Sequence, residues 1–274
     1  MDLTIEVYDQ KLQQFVRLEN LQQLGRRSRL SVALTNADQL FPEQKCLALP
    51  SRIFGLDVSA GETFAIDGRV VHIGEVGNSG KGTGLTTWDG SVVLAKYLEH
   101  KRREDIAGSR VVELGSGTGL VGISAALLGA REVILTDLAY VVDNLAANVA
   151  ETLRLAASVD RPVECKVSTR VLDWFNPPKD LGDIDFLLAS DVVWVEELIP
   201  PLVQTFDTLI RHSSVVTRVL MSYQKRSIMS DRLLFSELER HNLHKTRVPA
   251  ASLHPGFSTD RIDVWQIERR KTQA

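Results

Sequence analysis

The sequence predicts an α/β fold, in which a mainly parallel sheet carries helices on both faces and follows a small β-rich N-terminal extension. From about residue 85 onwards, short apolar runs alternate with stretches of helical spacing, which is typical of a parallel sheet with crossover helices. Before that point, short runs such as residues 3–7 and 69–73 have the composition of strands between polar turns. A glycine-rich stretch, residues 74–84, separates the two patterns.

We therefore expect two domains. Residues 1–84 form the β-rich extension, which could be a substrate-docking module or an interaction domain, and residues 85–274 form the α/β domain. The α/β domain opens with a predicted helix over residues 91–98, which Asp89 is placed to cap.

The next elements surround a glycine loop. Residues 110–114 are a short apolar strand entering that loop, and residues 120–128 follow as a helix that is apolar on most sides. Residues 132–136 form the second strand, and the apolar spacing from Val142 to Val149 indicates an amphipathic helix.

The rest of the chain continues the alternation of strands and helices. The predicted elements are, in order, strands 163–172 and 185–189, helix 199–211, strand 215–222, helix 231–241 and strand 261–267. Pro200 and Pro201 fit only the first turn of their helix, where no amide donor is needed. Ligands in such sheets bind beyond the carboxyl ends of the strands, so we expect the site there.

Charge and cysteine content exclude several classes of protein. Lys and Arg total 32 against 35 Asp and Glu, a net charge of −3, which argues against coating nucleic acid or an anionic membrane. Cys46 and Cys165 lie far apart without metal-ligand spacing, so we expect no zinc site and no disulfide framework.

The first residues and the longest apolar run bear on location. The chain starts with acidic residues where a signal or transit peptide would be apolar or basic, and residues 120–130 are too few to span a bilayer. We expect a monomer in the cytoplasm, with the nucleus as a second location, and no membrane partner.

The glycine loop, from Glu113 to Gly119, is the main functional signal. Residues 117–122 match the dinucleotide pattern G-x-G-x-x-G, and Asp137 lies 20 residues after Gly117, where a ribose-binding acid is expected. The strand ends at Leu114, however, so the tight turn begins at Gly115, two residues before that match. Taken from the strand end, the motif is acid-x-Gly-x-Gly-x-Gly, which resembles the S-adenosylmethionine loop of class I methyltransferases. The sequence favours S-adenosylmethionine over NAD.

Three further motifs stand in matching places: Thr87-Trp88-Asp89-Gly90, Leu172-Asp173-Trp174 and Ser190-Asp191-Val192-Val193-Trp194. With the glycine loop, they make residues 85–270 resemble the family-16 seven-strand protein lysine methyltransferases, whose members modify chaperones, an AAA ATPase and translation elongation factors. The resemblance implies a seven-stranded Rossmann-like sheet, S-adenosylmethionine as methyl donor with S-adenosylhomocysteine as product, and a protein substrate.

The resemblance also implies site residues. Trp88 closes over the methionine end of the donor, Gly115 and Gly117 pass beneath it, and Asp137 holds the ribose. The remaining donor contacts are Glu113, Ser116, Trp174 beside the adenine and Ser190 on the floor.

The acceptor side follows from the last motif. The family has an acid followed three residues later by tyrosine, and here Asp191 supplies the acid while Trp194 stands in place of the tyrosine. We expect Asp191 to receive and orient the incoming lysine ammonium, and Trp194 to offer a π face without a hydroxyl. Asp191 could instead be a helix N-cap after a strand.

Other functions remain open from the sequence. The acceptor could be a histidine, a small molecule or RNA, although the Pro-Pro-aromatic motif of base-amine enzymes does not follow the fourth strand. A non-catalytic partner-binding protein with the same fold is a further alternative, but such a protein has no physical need for the glycines and Asp137.

Overall fold

The computed structural model describes the backbone of residues 4–9, 14–18, 31–35 and 47–48, and all of residues 64–76, 82–157, 163–178, 181–225 and 227–269. The chain divides into two compact units, Met1–Ile53 and Phe54–Ala274. The first unit contains an antiparallel sheet of order β2-β1-β3-β4. Its strands are β1 (Thr4–Asp9), β2 (Gln14–Leu18), β3 (Ser31–Thr35) and β4 (Leu47–Ala48).

The second unit is built on a seven-stranded sheet of order β12-β13-β11-β10-β7-β8-β9. Its strands are β7 (Arg110–Leu114), β8 (Glu132–Asp137), β9 (Lys166–Val171), β10 (Phe186–Ser190), β11 (Arg218–Gln224), β12 (Leu243–Arg247) and β13 (Ile262–Arg269). The pairs from β9 to β11 are parallel, whereas β13 runs antiparallel to both β11 and β12. The predicted mainly parallel sheet is confirmed.

Six α-helices connect the described strands of this unit. They are α1 (Asp89–Tyr97), α2 (Arg103–Ile106), α3 (Leu120–Leu127), α4 (Ala139–Ala156), α5 (Ile199–His212) and α6 (Ile228–Arg240). A single π-helical turn, Leu98–Arg102, joins α1 to α2. No helix in the described ranges is long and apolar enough to cross a membrane.

The central strands are buried on both faces, which explains their almost continuous apolar sequences. Val112 in β7 and Leu187 in β10 are fully buried, and every residue of α3 is buried. The chain order reverses between β7 and β10: β8 and β9 follow on one side of β7, and β10 lies on the other. In open α/β sheets such a reversal leaves a ligand-binding crevice at the carboxyl ends of the two strands.

A small hairpin precedes the sheet and packs within the same unit. Strands β5 (Phe64–Ile66) and β6 (Arg69–Val71) are joined by Asp67-Gly68, both with positive φ, as a two-residue hairpin turn requires. After the hairpin, the Gly74 amide donates to Asn148 Oδ1 of α4 at 2.8 Å. The assignment of residues 1–84 to one extension stays a prediction, and Cys46 and residues 77–81 lie outside the described residues.

The structure corrects two details of the predicted elements. Asp89 is the first residue of α1 rather than its cap, because the N-cap position is Trp88, whose side chain makes no capping hydrogen bond. Strand β12 was not expected, because only Leu243 of its five residues is buried and the others are polar or charged. An edge strand of this kind lacks the apolar alternation by which strands are recognised.

Candidate active site

The glycine loop connects β7 to α3 at the predicted carboxyl edge of the sheet. Gly115, Gly117 and Gly119 have φ of +62°, +56° and +89°, a left-handed region that side chains with a Cβ adopt at a cost. Space also demands glycine: a Cβ at Gly119 would lie 2.6 Å from Leu145 Cδ1, and one at Gly115 would lie 2.9 Å from Val192 Cγ1. The loop therefore presents backbone without side chains between β7 and α3, where the strand order reverses.

Glu113 is fully buried directly beneath the loop. Its Oε2 accepts a hydrogen bond from the Gly122 amide at 2.9 Å, in the first turn of α3. Burial raises the pKa of Glu113 to about 8, and the nearby Asp137 charge acts in the same direction. The hydrogen bonds from Gly122 and Ser116 favour the charged form but do not offset the loss of water. This carboxyl supports the loop from below and does not face solvent.

Ser116 fastens the loop to the neighbouring strand. Its amide donates to the Thr136 carbonyl at 3.0 Å, and its Oγ accepts from the Thr136 amide at 3.0 Å. The Thr136 hydroxyl in turn donates to the Glu113 carbonyl at 2.6 Å. These hydrogen bonds set the shape of the loop, and the contact of Glu113 and Ser116 with a cofactor stays a prediction.

Asp137 ends β8 beside the loop, as predicted. Its Oδ2 accepts from the Gly117 amide at 2.8 Å, and its Oδ1 accepts from the Leu138 amide at 2.7 Å. Desolvation raises the pKa of Asp137, although these two amides favour the charged form. A carboxylate has about four acceptor positions, so Asp137 keeps capacity for two hydroxyl donors.

The segment 82–88 approaches the glycine loop from the other side. A Cβ at Gly117 would lie 3.3 Å from the Gly84 carbonyl oxygen, and the hydroxyls of Thr87 and Thr118 are 2.9 Å apart. The Gly84 amide donates to the Tyr140 hydroxyl at 3.3 Å. Trp88 closes this segment, its Nε1 donating to the Thr83 carbonyl at 3.2 Å.

Trp174 and Ser190 flank the loop from the next two strands. The Trp174 ring is partly buried, and its Cζ2 lies 3.1 Å from the position that a Cβ at Gly115 would occupy. Ser190 is the last residue of β10 and pairs in register with Ser222 of β11. Trp88, Gly115, Gly117, Asp137, Trp174 and Ser190 therefore all lie around one edge of the sheet.

Asp191 lies at the same edge but is buried, with 6% of its surface exposed. Its backbone has a φ of +53°, and its Oδ2 accepts from the Gly90 amide in α1 at 2.7 Å. The sequence-based alternative was a helix N-cap after its own strand; the carboxylate caps α1 instead. Trp194 is 49% exposed beyond it, so the two predicted acceptor residues differ sharply in burial.

Several residues of the site were not identified from the sequence. Gly84 and Tyr140 approach the loop from separate segments, and the contact of Gly90 with Asp191 spans 101 residues. No local signal connects positions so far apart. Among the described residues, no group of three His, Cys, Asp or Glu side chains is placed to hold a metal ion.

The site fits S-adenosylmethionine better than a dinucleotide. The left-handed backbone begins at Gly115, next to the strand end, and the Asp137 carboxylate that would take the ribose hydroxyls is hydrogen-bonded to Gly117. The bare loop and the acidic group meet where a nucleoside must lie. The glycine loop and the carboxylate for the ribose hydroxyls are thus both present in this chain.

Comparison with known proteins identifies the family. A family model described as lysine methyltransferase matches residues 67–241, more than half of the chain. A protein N-lysine methyltransferase METTL21A from Xenopus tropicalis is 35% identical over 195 residues, covering 69% of this chain and 80% of the relative. Its counterpart from Danio rerio is 38% identical over 167 residues, covering 60% and 71%. An EEF1A lysine methyltransferase 3 from Xenopus tropicalis is 34% identical over 147 residues, covering 53% and 61%. The chain therefore belongs to the lysine methyltransferase family and is an S-adenosylmethionine-dependent protein methyltransferase.

Proposed function

We propose that this protein methylates a lysine side chain of a specific protein substrate, with the donor lying on the glycine loop and the lysine entering beside Asp191. The observation that carries the proposal is the hydrogen bond from the Gly117 amide to Asp137, which joins the bare loop to the ribose acceptor. Trp88 and Trp174 flank the donor, Ser190 lines the floor, and Glu113 and Ser116 hold the loop in shape.

The chain's own residues then have to align and prepare the acceptor. When bound, S-adenosylmethionine supplies a methyl carbon activated by the positively charged sulfur; an amine attacks this carbon in line with the carbon–sulfur bond, and S-adenosylhomocysteine is the leaving group. A free lysine has a pKa of about 10.4 and must lose its proton before attack. Asp191 can accept a hydrogen bond from the ammonium while it still holds the Gly90 amide, because a carboxylate has about four acceptor positions.

Trp194 forms the outer wall of the acceptor channel in this proposal. Its exposed ring offers a π face to a cationic side chain, an interaction worth ~0.5–2 kcal/mol, and no hydroxyl that could compete for the amine's hydrogen bonds. Trp194 would orient the lysine through contact with its ring and would take no part in proton transfer. Alignment of this kind is the main contribution an enzyme can make to a displacement on an activated carbon.

We further propose the class of substrate and the location. The substrate is a chaperone, an AAA ATPase or a translation factor, and the relative named as an EEF1A lysine methyltransferase supports the last of these. The protein acts as a monomer in the cytoplasm, with the nucleus as a second location. The resemblance of residues 85–270 to the family supports the substrate class.

The test is methyl transfer to a proteome. Extract from cells that lack the gene is incubated with labelled S-adenosylmethionine and the protein, and labelled peptides are mapped by mass spectrometry. We expect labelled lysine with the wild-type protein and with Gly256→Ala, an exposed position where a Cβ makes ordinary contacts. Gly117→Val should give no label, because the left-handed turn is lost and the side chain meets the Gly84 carbonyl. Label on histidine or RNA, or no label, would overturn the proposal.

A further inference from the structure

The first turn of α1 is capped from a distant part of the chain. Helices need acceptors for their first amides, normally a Ser, Thr, Asp or Asn side chain at the N-cap. The N-cap of α1 is Trp88, whose indole has no acceptor oxygen and makes no capping hydrogen bond. Asp191 Oδ2 takes that place, accepting from the Gly90 amide at 2.7 Å across 101 residues.

Glycine is required at position 90 because a side chain would not fit, and not because of the backbone conformation. Its φ lies outside the left-handed region, so any residue could adopt the conformation. A Cβ at this position, however, would lie 2.5 Å from Asp191 Oδ2, 2.6 Å from Asp191 Cγ and 3.0 Å from Ser222 Oγ. The missing side chain therefore lets the carboxylate reach the end of the helix.

Asp191 is held in this position by its own surroundings. Its φ of +53° is a left-handed conformation that Asp tolerates better than most residues, and its amide donates to the Ser222 carbonyl at 3.2 Å. An uncommon backbone conformation persists where the surrounding structure determines it. The carboxylate therefore meets α1 at a fixed point.

We propose that Gly90 and Asp191 form a clamp that positions the donor-facing segment 82–88, so that the acceptor acid also controls how the donor is held. The α1 clamp fixes the start of α1, and Trp88 immediately precedes it. From there the segment reaches the glycine loop through Thr87 and Thr118 and passes its Gly84 carbonyl over Gly117. Asp191 is thus a positioning residue for the donor in addition to the acceptor role of the proposed function, on which this inference rests.

The test compares donor affinity and turnover in matched variants. Asp191→Asn keeps a carbonyl oxygen for the Gly90 amide and tolerates the left-handed backbone, whereas Asp191→Ala removes the acceptor and Gly90→Ala pushes it away. Isothermal titration calorimetry with S-adenosylmethionine should give wild-type affinity for the control Gly256→Ala and an affinity within about three-fold of it for Asp191→Asn, which keeps a neutral hydrogen bond to Gly90. Gly90→Ala and Asp191→Ala should bind about ten-fold more weakly, the effect of losing one charge-assisted hydrogen bond.

The outcomes separate this inference from the proposed function. Wild-type affinity in Gly90→Ala, or an affinity loss in Asp191→Asn equal to that in Asp191→Ala, overturns the clamp. If Asp191→Ala does not fold, judged by its thermal unfolding, Gly90→Ala against Gly256→Ala decides. A wild-type protein that binds S-adenosylmethionine but labels no lysine overturns the proposed function, while the order of affinities still tests the clamp.

Discussion

Glu113 shows how one buried residue links the fold to the site. It is fully buried beneath the glycine loop and accepts from the first turn of α3, and its pKa is raised to about 8. In an unfolded chain a glutamic acid titrates near pH 4.3. The folded protein therefore keeps a proton that the unfolded chain has released over the range between these two values.

This difference predicts a pH-dependent stability. The contribution of Glu113 is fully present below about pH 4.3 and is lost as the pH rises through about 8, with a slope of at most ~1.4 kcal/mol per pH unit. Glu113→Gln cannot titrate, so its free energy of unfolding should fall less than that of the wild type between pH 5 and 8.5. Urea unfolding across this range is the measurement, with Glu104→Gln, an exposed acid on α2, as control. Parallel curves for wild type and Glu113→Gln would show that Glu113 keeps an ordinary pKa.

The Asp137 carboxylate is expected to contribute to donor affinity. Removing a carboxylate that accepts two ribose hydroxyls should cost about 1.5–3 kcal/mol, so Asp137→Ala should lower donor affinity roughly ten- to a hundred-fold. Asp143→Ala, an exposed acid on the following helix α4, should bind like the wild type. Calorimetry with S-adenosylmethionine decides, and an unchanged affinity in folded Asp137→Ala would remove Asp137 from the site.

At the level of helices and strands, the apolar spacing of the sequence predicted most of the buried elements. The strands β7, β8 and β10 and the helices α3 and α5 agree with the predicted positions, because buried strands and amphipathic helices have distinct apolar spacing. The two failures have different causes. The cap of α1 comes from Asp191, which no local motif reveals. Strand β12 is a polar edge strand, whose Lys245 Nζ lies 3.9 Å from the ring centroid of Phe235 on α6.

One buried acid links α5 to the ends of α6 and β13. Asp207 on α5 is 3% exposed and accepts from Arg211, from His241 at the end of α6 and from Arg269 at the end of β13. Burial alone would raise the pKa of Asp207, but these hydrogen bonds together lower it. The charged carboxylate thus ties three elements together.

Asp207→Asn should therefore weaken the fold without touching the site. We expect a loss of about 1.5–3 kcal/mol in the free energy of unfolding at pH 7. Because the folded pKa is lowered, this stabilisation is present above the unfolded pKa of about 3.9 and is lost as the pH falls through the folded value. Glu151→Gln, which breaks an exposed pair with Arg154 on α4, serves as control and should unfold like the wild type. Equal unfolding of both variants at pH 7 would contradict the role of Asp207.

At the scale of the whole molecule, the topology explains why the site is where the sequence placed it. The order of strands reverses between β7 and β10, and the parallel strands bring Gly115, Asp137, Trp174 and Ser190 to one edge. Four motifs that are widely spaced in the chain could be assigned to one site because each follows a strand or precedes a helix. The sequence did not predict that Asp191 is buried against Gly90, since that depends on the packing of α1 and not on any spacing.

In the proposed function, one edge of the sheet holds the donor at Asp137 and the acceptor at Asp191. The most direct test is the steady-state rate of lysine methylation as a function of S-adenosylmethionine concentration, using the protein substrate found by label transfer. Asp137→Ala should raise the KM for the donor roughly ten- to a hundred-fold and recover most of its kcat at saturation. Asp191→Asn should keep the KM for the donor within about three-fold of the wild-type value and lose kcat by about a hundred-fold or more, because its amide cannot take the ammonium as a charged partner. If saturating donor restores Asp191→Asn but not Asp137→Ala, the two ends of the site have been assigned the wrong way round.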